Sequence, residues 1–137
     1  MSLSYNNLRR YKKPLKPRIG FKVFKRWNNG LMSPYYHQLY TAYEIGKTYK
    51  DHTSGYIEVS GKKYRKGFHA YENIESLKGY HGSDYVFAKV LIGDIYATGY
   101  DSYCKSSGKA FVGRKLKILE IIEKRKNYES INCWWKP

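Results

Sequence analysis

Acidic residues are missing from the first 43 residues of this sequence, where none precedes Glu44. The whole chain has 11 Asp and Glu residues against 26 Lys and Arg residues, which gives a formal net charge of +15 over 137 residues. Charge of one sign on a small particle destabilises the compact state through self-repulsion, and a polyanionic partner relieves that repulsion. The composition therefore predicts a partner that is nucleic acid or another polyanion.

Cysteine is scarce as well. Cys104 and Cys133 are far apart and neither belongs to a Cys-x-x-Cys pair, which excludes a disulfide framework and a zinc-ribbon spacing. No apolar run is long enough to cross a bilayer, and Met1-Ser2-Leu3-Ser4 lacks the apolar stretch of a secretory signal. We therefore expect no metal, no cofactor and no membrane partner, and an intracellular location.

A basic arm opens the acid-free segment. Pro14 and Pro17 oppose a regular helix and favour extended backbone, so we interpret residues 1–18 as an extended arm and residues 19–137 as a single compact domain. Cations that contact phosphates add affinity independent of base sequence, and aromatic rings among them can stack on unpaired bases. The predicted nucleic-acid-binding residues are Arg9, Arg10, Tyr11, Lys12, Lys13, Lys16, Arg18, Lys22, Lys25, Arg26 and Trp27. A solvated tail, or an anchor to an acidic protein surface, is the alternative.

Strand patterns dominate the remainder. Residues 56–59 and 62–65 flank Ser60-Gly61, which is typical of a tight hairpin. Alternating or β-branched and aromatic residues predict further strands over residues 19–27, 85–92, 94–100 and 114–122. Asn73 and Gly79 can begin and end a short helix. The sequence thus predicts an α+β fold, with a small mainly antiparallel sheet, one short helix after His69 and the basic arm.

Four segments in order resemble a group of small proteins from phages and bacteria. They are residues 43–47, Lys66-Gly67-Phe68-His69-Ala70, residues 86–95 and Lys115-Leu116-Lys117-Ile118-Leu119-Glu120. In that group a Gly-Phe-His-Ala segment precedes a short helix, a valine-rich strand and a late Lys-x-Ile strand. The resemblance covers residues 21–122. It implies a viral or mobile-element origin, and with it a location in a host cytoplasm or a virion. It also implies a compact α+β fold, but it brings no chemistry, because none is established for the group.

Two histidines are candidate pocket residues. His69 alternates with Phe68 and Ala70 in a predicted strand and so faces away from both, either into a pocket or as a hydrogen-bonded structural residue. His81-Gly82-Ser83 resembles the step with which ADP-ribosyltransferase folds hold nicotinamide ribose, although here it follows a predicted helix, and a polar turn is the alternative. No histidine pair has metal-ligand spacing.

The two tryptophans at residues 134 and 135 complete the candidates. Trp134 and Trp135 form a protein-contact anchor or pack back over the domain. The favoured function is non-enzymatic binding of nucleic acid or another polyanion by a viral or phage protein, with no catalytic residue assigned. One alternative is a protein-interaction role, as a virion structural protein or an inhibitor of a host factor. The other is a small enzyme centred on His69 or His81.

Overall fold

A computed structural model describes residues 3–4, 7–27, 30–32, 42–79, 84–101 and 108–122 of the chain. The strands are β1 (Arg9–Leu15), β2 (Arg18–Trp27), β3 (Gly30–Met32), β4 (Thr48–Lys50), β5 (Tyr56–Val59), β6 (Lys62–Arg65), β7 (Phe68–Tyr71), β8 (Tyr85–Tyr100) and β9 (Lys109–Ile121). A 3-10 helix spans Ile74–Gly79. These described residues contain no α-helix, so the predicted α+β class is wrong, and the fold is mainly antiparallel β-sheet.

Four strands of the main sheet close into a ring. The seven-stranded sheet has the order β1-β8-β2-β7-β9-β4, with β3 beside β2, and β8 also pairs with β9. The strands β8, β2, β7 and β9 therefore each have two neighbours within the ring. β2 and β7 meet at a single register pair, Phe21 opposite Tyr71. Hairpin β5–β6 forms a separate two-stranded sheet.

The ring separates two hydrophobic cores. The ring core receives side chains from all four ring strands: Phe24, Ala70, Ala88, Val90, Ile92, Ile95, Phe111, Leu116 and Ile118. The cover core lies on the other face of the strands, where Leu3, Leu8, the hairpin and the 3-10 helix pack. Its buried members are Leu3, Leu8, Val23, Tyr64, Tyr71, Leu77, Phe87, Ala97, Ala110 and Val112. Two cores are possible because alternate residues of a strand point to opposite faces.

Gly20 allows the ring to close. A Cβ atom at this position would lie 2.6 Å from Cζ of Phe111 and 2.8 Å from the carbonyl oxygen of Tyr71. These distances are shorter than a carbon atom tolerates, so only glycine lets β2 approach β7 this closely beside the Phe21–Tyr71 pair.

Hairpin β5–β6 forms as the sequence predicts. Its turn residues Ser60 and Gly61 have φ values of 47° and 87°, as the favoured two-residue turns require. Its inner face sends Ile57, Val59 and Tyr64 into the cover core. The prediction of this hairpin is therefore confirmed.

The basic arm is a strand of the sheet, which corrects the prediction of an extended arm outside the domain. β1 pairs with β8 at Arg9, Arg10 and Leu15. Pro14 lies where the register between the two strands shifts, so its missing N–H costs no hydrogen bond of the ladder. Prolines that oppose a helix are equally compatible with an irregular edge strand.

The helix predicted after His69 is a six-residue 3-10 helix. Ile74 and Leu77 are three residues apart, and both pack on the cover core. A 3-10 helix has three residues per turn, so this spacing brings both side chains to one side. The 3-10 turn is therefore enough to bury both apolar side chains, and an α-helical turn is not needed for it.

Replacing Gly20 with Ala should destabilise the fold by about 1–3 kcal/mol, because the added methyl group collides with backbone at the ring closure. Urea denaturation followed by circular dichroism measures the loss. The control is Gly93→Ala, whose Cβ would lie 3.3 Å from Cβ of Lys115 and requires only a small adjustment. Equal losses in the two variants would contradict the role of Gly20 in closure.

Candidate functional site

Five predicted cations lie together on β1 and just after it. Arg9, Arg10, Lys12, Lys13 and Lys16 are all exposed. The ion pairs in the described part of the chain involve Arg18, Lys47, Arg114 and Lys115 and none of these five. Their charges are therefore available to an outside anion.

A large bulge carries two of these cations. Between Arg10 and Leu15 the chain of β1 advances by five residues, whereas the paired residues of β8, Ala97 and Ile95, are two apart. Residues 11–14 thus bow away from β8, and Lys12 and Lys13 lie on the bow. The Tyr11 hydroxyl lies 3.0 Å from Oγ1 of Thr98 on β8, which ties the start of the bow to the sheet.

β8 has its own bulge opposite this bow. Its register with β9 shifts between Ile95 and Ala97, which leaves Tyr96 as the extra residue. Bulges re-aim side chains and are common beside functional sites. Tyr96 is partly buried, and the guanidinium carbon of Arg65 lies 4.4 Å from the centre of its ring.

Hairpin β5–β6 adds two further cations to this surface. Lys63 and Arg65 are exposed on β6, and Nη1 of Arg10 donates a hydrogen bond of 3.3 Å to the Lys63 carbonyl. The contact brings the hairpin against β1. We call the resulting surface the cationic edge; its residues are Arg9, Arg10, Lys12, Lys13, Lys16, Lys63 and Arg65. Sequence reasoning missed Lys63 and Arg65, although their alternation with Tyr64 predicts that they lie on the outer face of the hairpin.

Two predicted binding cations are instead engaged within the fold. The Arg18 guanidinium lies 4.7 Å from the Phe111 ring centre and 3.6 Å from the Glu72 carboxylate. Lys22 is partly buried and donates a 2.8 Å hydrogen bond to the His69 carbonyl. Burial lowers the pKa of Lys22 to about 8. The Lys22 hydrogen bond links β2 to β7 just beyond the ring closure, so we exclude both cations from the cationic edge.

The remaining predicted cations are distant. Lys25 pairs with Tyr85 at the start of β8, whereas Arg9 pairs with Thr98 near its end. Thirteen residues of extended strand separate those two positions, a distance of up to about 43 Å. Exposed Lys25 and Arg26 therefore do not share one compact site with β1. Only the backbone of Trp27 is described, at the end of β2.

His69 is enclosed in the fold. It is 8% exposed, and its Nε2 lies 3.1 Å from the Tyr64 hydroxyl, which accepts a 3.0 Å hydrogen bond from the Leu3 N–H. Burial, aided by the positive charge of Lys22, lowers the pKa of His69 to about 3. A neutral, enclosed imidazole that joins β7 to β6 and, through Tyr64, to Leu3 has a structural role. Because the side chain is buried, it offers no exposed reactive atom to support the hypothesis of an enzyme centred on His69.

A second buried polar contact lies beside it. The Tyr71 hydroxyl donates to the carboxylate of Asp101, which is 4% exposed. Asp101 also forms a β-bridge with Leu3. Burial raises the pKa of Tyr64, with the Leu3 N–H acting against this rise and the Asp101 charge adding to it. These polar groups hold Leu3 over the cover core.

Other candidate residues give no site in the described part of the chain. His81, Trp134 and Trp135 lie outside the described residues, so their predicted roles stay predictions. A cleft of about 330 Å³ lies between β2, β3 and the segment at Tyr43–Ile45, with Arg26 and Glu44 at its wall. Within the described ranges, no three His, Cys, Asp or Glu residues are grouped as a metal would need, and no helix is long and apolar enough to span a membrane.

Comparisons with protein-family models, with curated proteins and with solved structures give no match. The resemblance to phage and bacterial proteins, and the origin that it implies, stay predictions.

The buried neutral state of His69 predicts a pH-dependent stability. A histidine in the unfolded chain has a pKa near 6.5 and is protonated below that pH. Folded His69, in contrast, stays neutral until about pH 3. The free energy of unfolding should therefore fall between pH 6.5 and 3, with a contribution from His69 of up to about 1.4 kcal/mol per pH unit. Denaturation curves at several pH values measure it.

The matched variants are His69→Gln and His52→Gln, since His52 is exposed. We expect His69→Gln to have a shallower pH dependence over this range, whatever its absolute stability, and His52→Gln to keep that of the parent protein. Parallel pH profiles for all three proteins would show that His69 titrates normally.

Proposed function

We propose that this protein binds nucleic acid through its cationic edge, without base-sequence specificity. The observation that carries the proposal is the group of five exposed cations on and beside β1 that make no ion pair with a described carboxylate. Lys63 and Arg65 extend the group onto the hairpin. The net charge of +15 makes a polyanion the favoured partner class.

The structure of β1 supports this function better than a free arm would. A free arm loses conformational entropy when it binds, whereas cations on a paired strand already have an ordered backbone. Each cation that contacts a phosphate releases counterions, which makes the affinity high at low salt and weak at high salt. Glu58, directly opposite Lys63 on the hairpin, places one carboxylate beside the seven cations of the cationic edge. The surface therefore keeps an excess of positive charge.

Point substitutions test this proposal more cleanly than deletion, because removing residues 1–18 would also take Leu3 and Leu8 out of the cover core. The triple variant Lys12→Gln, Lys13→Gln and Lys16→Gln removes three exposed charges. We expect at least about a tenfold loss of affinity for a labelled oligonucleotide at low salt. The slope of log affinity against log salt should fall by about 2 to 3, since each lost phosphate contact contributes about 0.7–0.9. Fluorescence anisotropy measures both.

A control triple variant has the same net charge. Lys25→Gln, Arg26→Gln and Lys50→Gln removes three exposed charges away from β1, on β2 and β4. Its affinity and salt slope should stay close to those of the parent protein. Equal losses of affinity in the two triple variants would show that binding depends on the net charge and not on the cationic edge. An affinity that does not change with salt concentration would refute the proposal.

A further inference from the structure

A row of planar side chains lies next to the cationic edge. Tyr56 on β5 is directly opposite Arg65 on β6, so their side chains share one face of the hairpin. The Arg65 guanidinium in turn covers the ring of Tyr96 on β8. Arg65 is therefore next to both tyrosines: it shares a face of the hairpin with Tyr56, and its guanidinium lies over the ring of Tyr96.

The two ends of the row differ in exposure. Tyr56 is 57% exposed. In the described part of the chain the exposed large apolar side chains are Ile19, Ile45 and Tyr56, and of these three only Tyr56 is aromatic. Tyr96 is partly buried, at the bulge that faces the bow of β1. Arg65, which contacts Tyr96, is itself exposed. An exposed face of planar groups is thus available within reach of Arg10 and Lys63.

Planar groups beside cations suit one form of nucleic acid. An unpaired base has a free π-face and can stack on an aromatic ring or on a guanidinium plane. In a duplex the bases are already stacked on each other, and only the phosphates and groove edges are accessible. Cations alone serve both forms, so the planar row is the feature that discriminates.

We infer that Tyr56, Arg65 and Tyr96 form a stacking site for unpaired bases, and that the preferred ligand of the cationic edge is single-stranded nucleic acid. This inference rests on the proposed function and adds the form of nucleic acid to it. Phosphates on either side of the stacked base contact Arg10 and Lys63. The lysines on the bow of β1 contact the strand farther along.

The variants Arg65→Lys and Tyr56→Leu test the inference. Arg65→Lys keeps the charge and removes the guanidinium plane, and Tyr56→Leu removes an exposed ring without opening a core. Each should weaken binding to a single-stranded oligonucleotide by about fivefold or more, the loss expected when one stacked base loses its platform. Binding to the duplex of the same sequence, and the salt slope for both ligands, should stay at parent values.

The control is Arg26→Lys, which makes the same chemical change at an exposed arginine outside the cationic edge. It should leave both affinities unchanged. Equal weakening for single strand and duplex in Arg65→Lys, or no weakening in either planar-row variant, would overturn the stacking site and leave salt-dependent binding intact. Absence of salt-dependent binding to either ligand would instead refute the proposed function itself.

Discussion

The architecture depends on one close approach between backbones, at Gly20. Without a side chain there, β2 reaches β7 and the sheet closes after one register pair. Closure uses the first half of β8, residues 85–92, as the partner of β2. The second half of this 16-residue strand extends past Arg18, the first residue of β2, and β1 and β9 pair with it there. β1, which carries most of the cationic edge, therefore pairs with the part of β8 that lies beyond its pairing with β2.

Contacts within the fold then divide the basic residues into two groups. Lys22 is engaged with the His69 carbonyl and Arg18 with Phe111 and Glu72, and both stabilise the ring. The hydrogen bond from the Leu3 N–H to the Tyr64 hydroxyl, and the hydrogen bond between Tyr64 and His69, hold Leu3 and the hairpin together over the cover core. Since these polar groups are out of water, each bond also avoids the cost of an unsatisfied buried group. The charges of β1 remain outside this arrangement.

Local patterns predicted those parts of the fold that depend on neighbours in sequence. The Ser60-Gly61 turn is a two-residue signal and gave the hairpin, and the alternation over residues 19–27 gave most of β2. The sequence predicts an arm where the structure has β1, because the partner of β1 in β8 is remote in sequence. A strand that pairs irregularly also leaves no local pattern that would reveal it. The same distance explains why the sequence does not reveal the contacts of Arg18 and Lys22 within the fold. Their alternation with apolar residues indicates a strand, but only the tertiary fold shows that Phe111 and the His69 carbonyl engage them.

The bow in β1 has a consequence for contacts between molecules. An edge strand with regular, unsatisfied N–H and C=O groups is a template on which another chain can add a strand. Over residues 11–14 the backbone leaves the line of the sheet, Pro14 offers no donor, and Lys12 and Lys13 meet any approaching copy with like charge. The irregularity that displays these lysines thus also opposes edge-to-edge pairing of two copies. A variant in which β1 paired regularly with β8, without the bulge, would be more prone to aggregate.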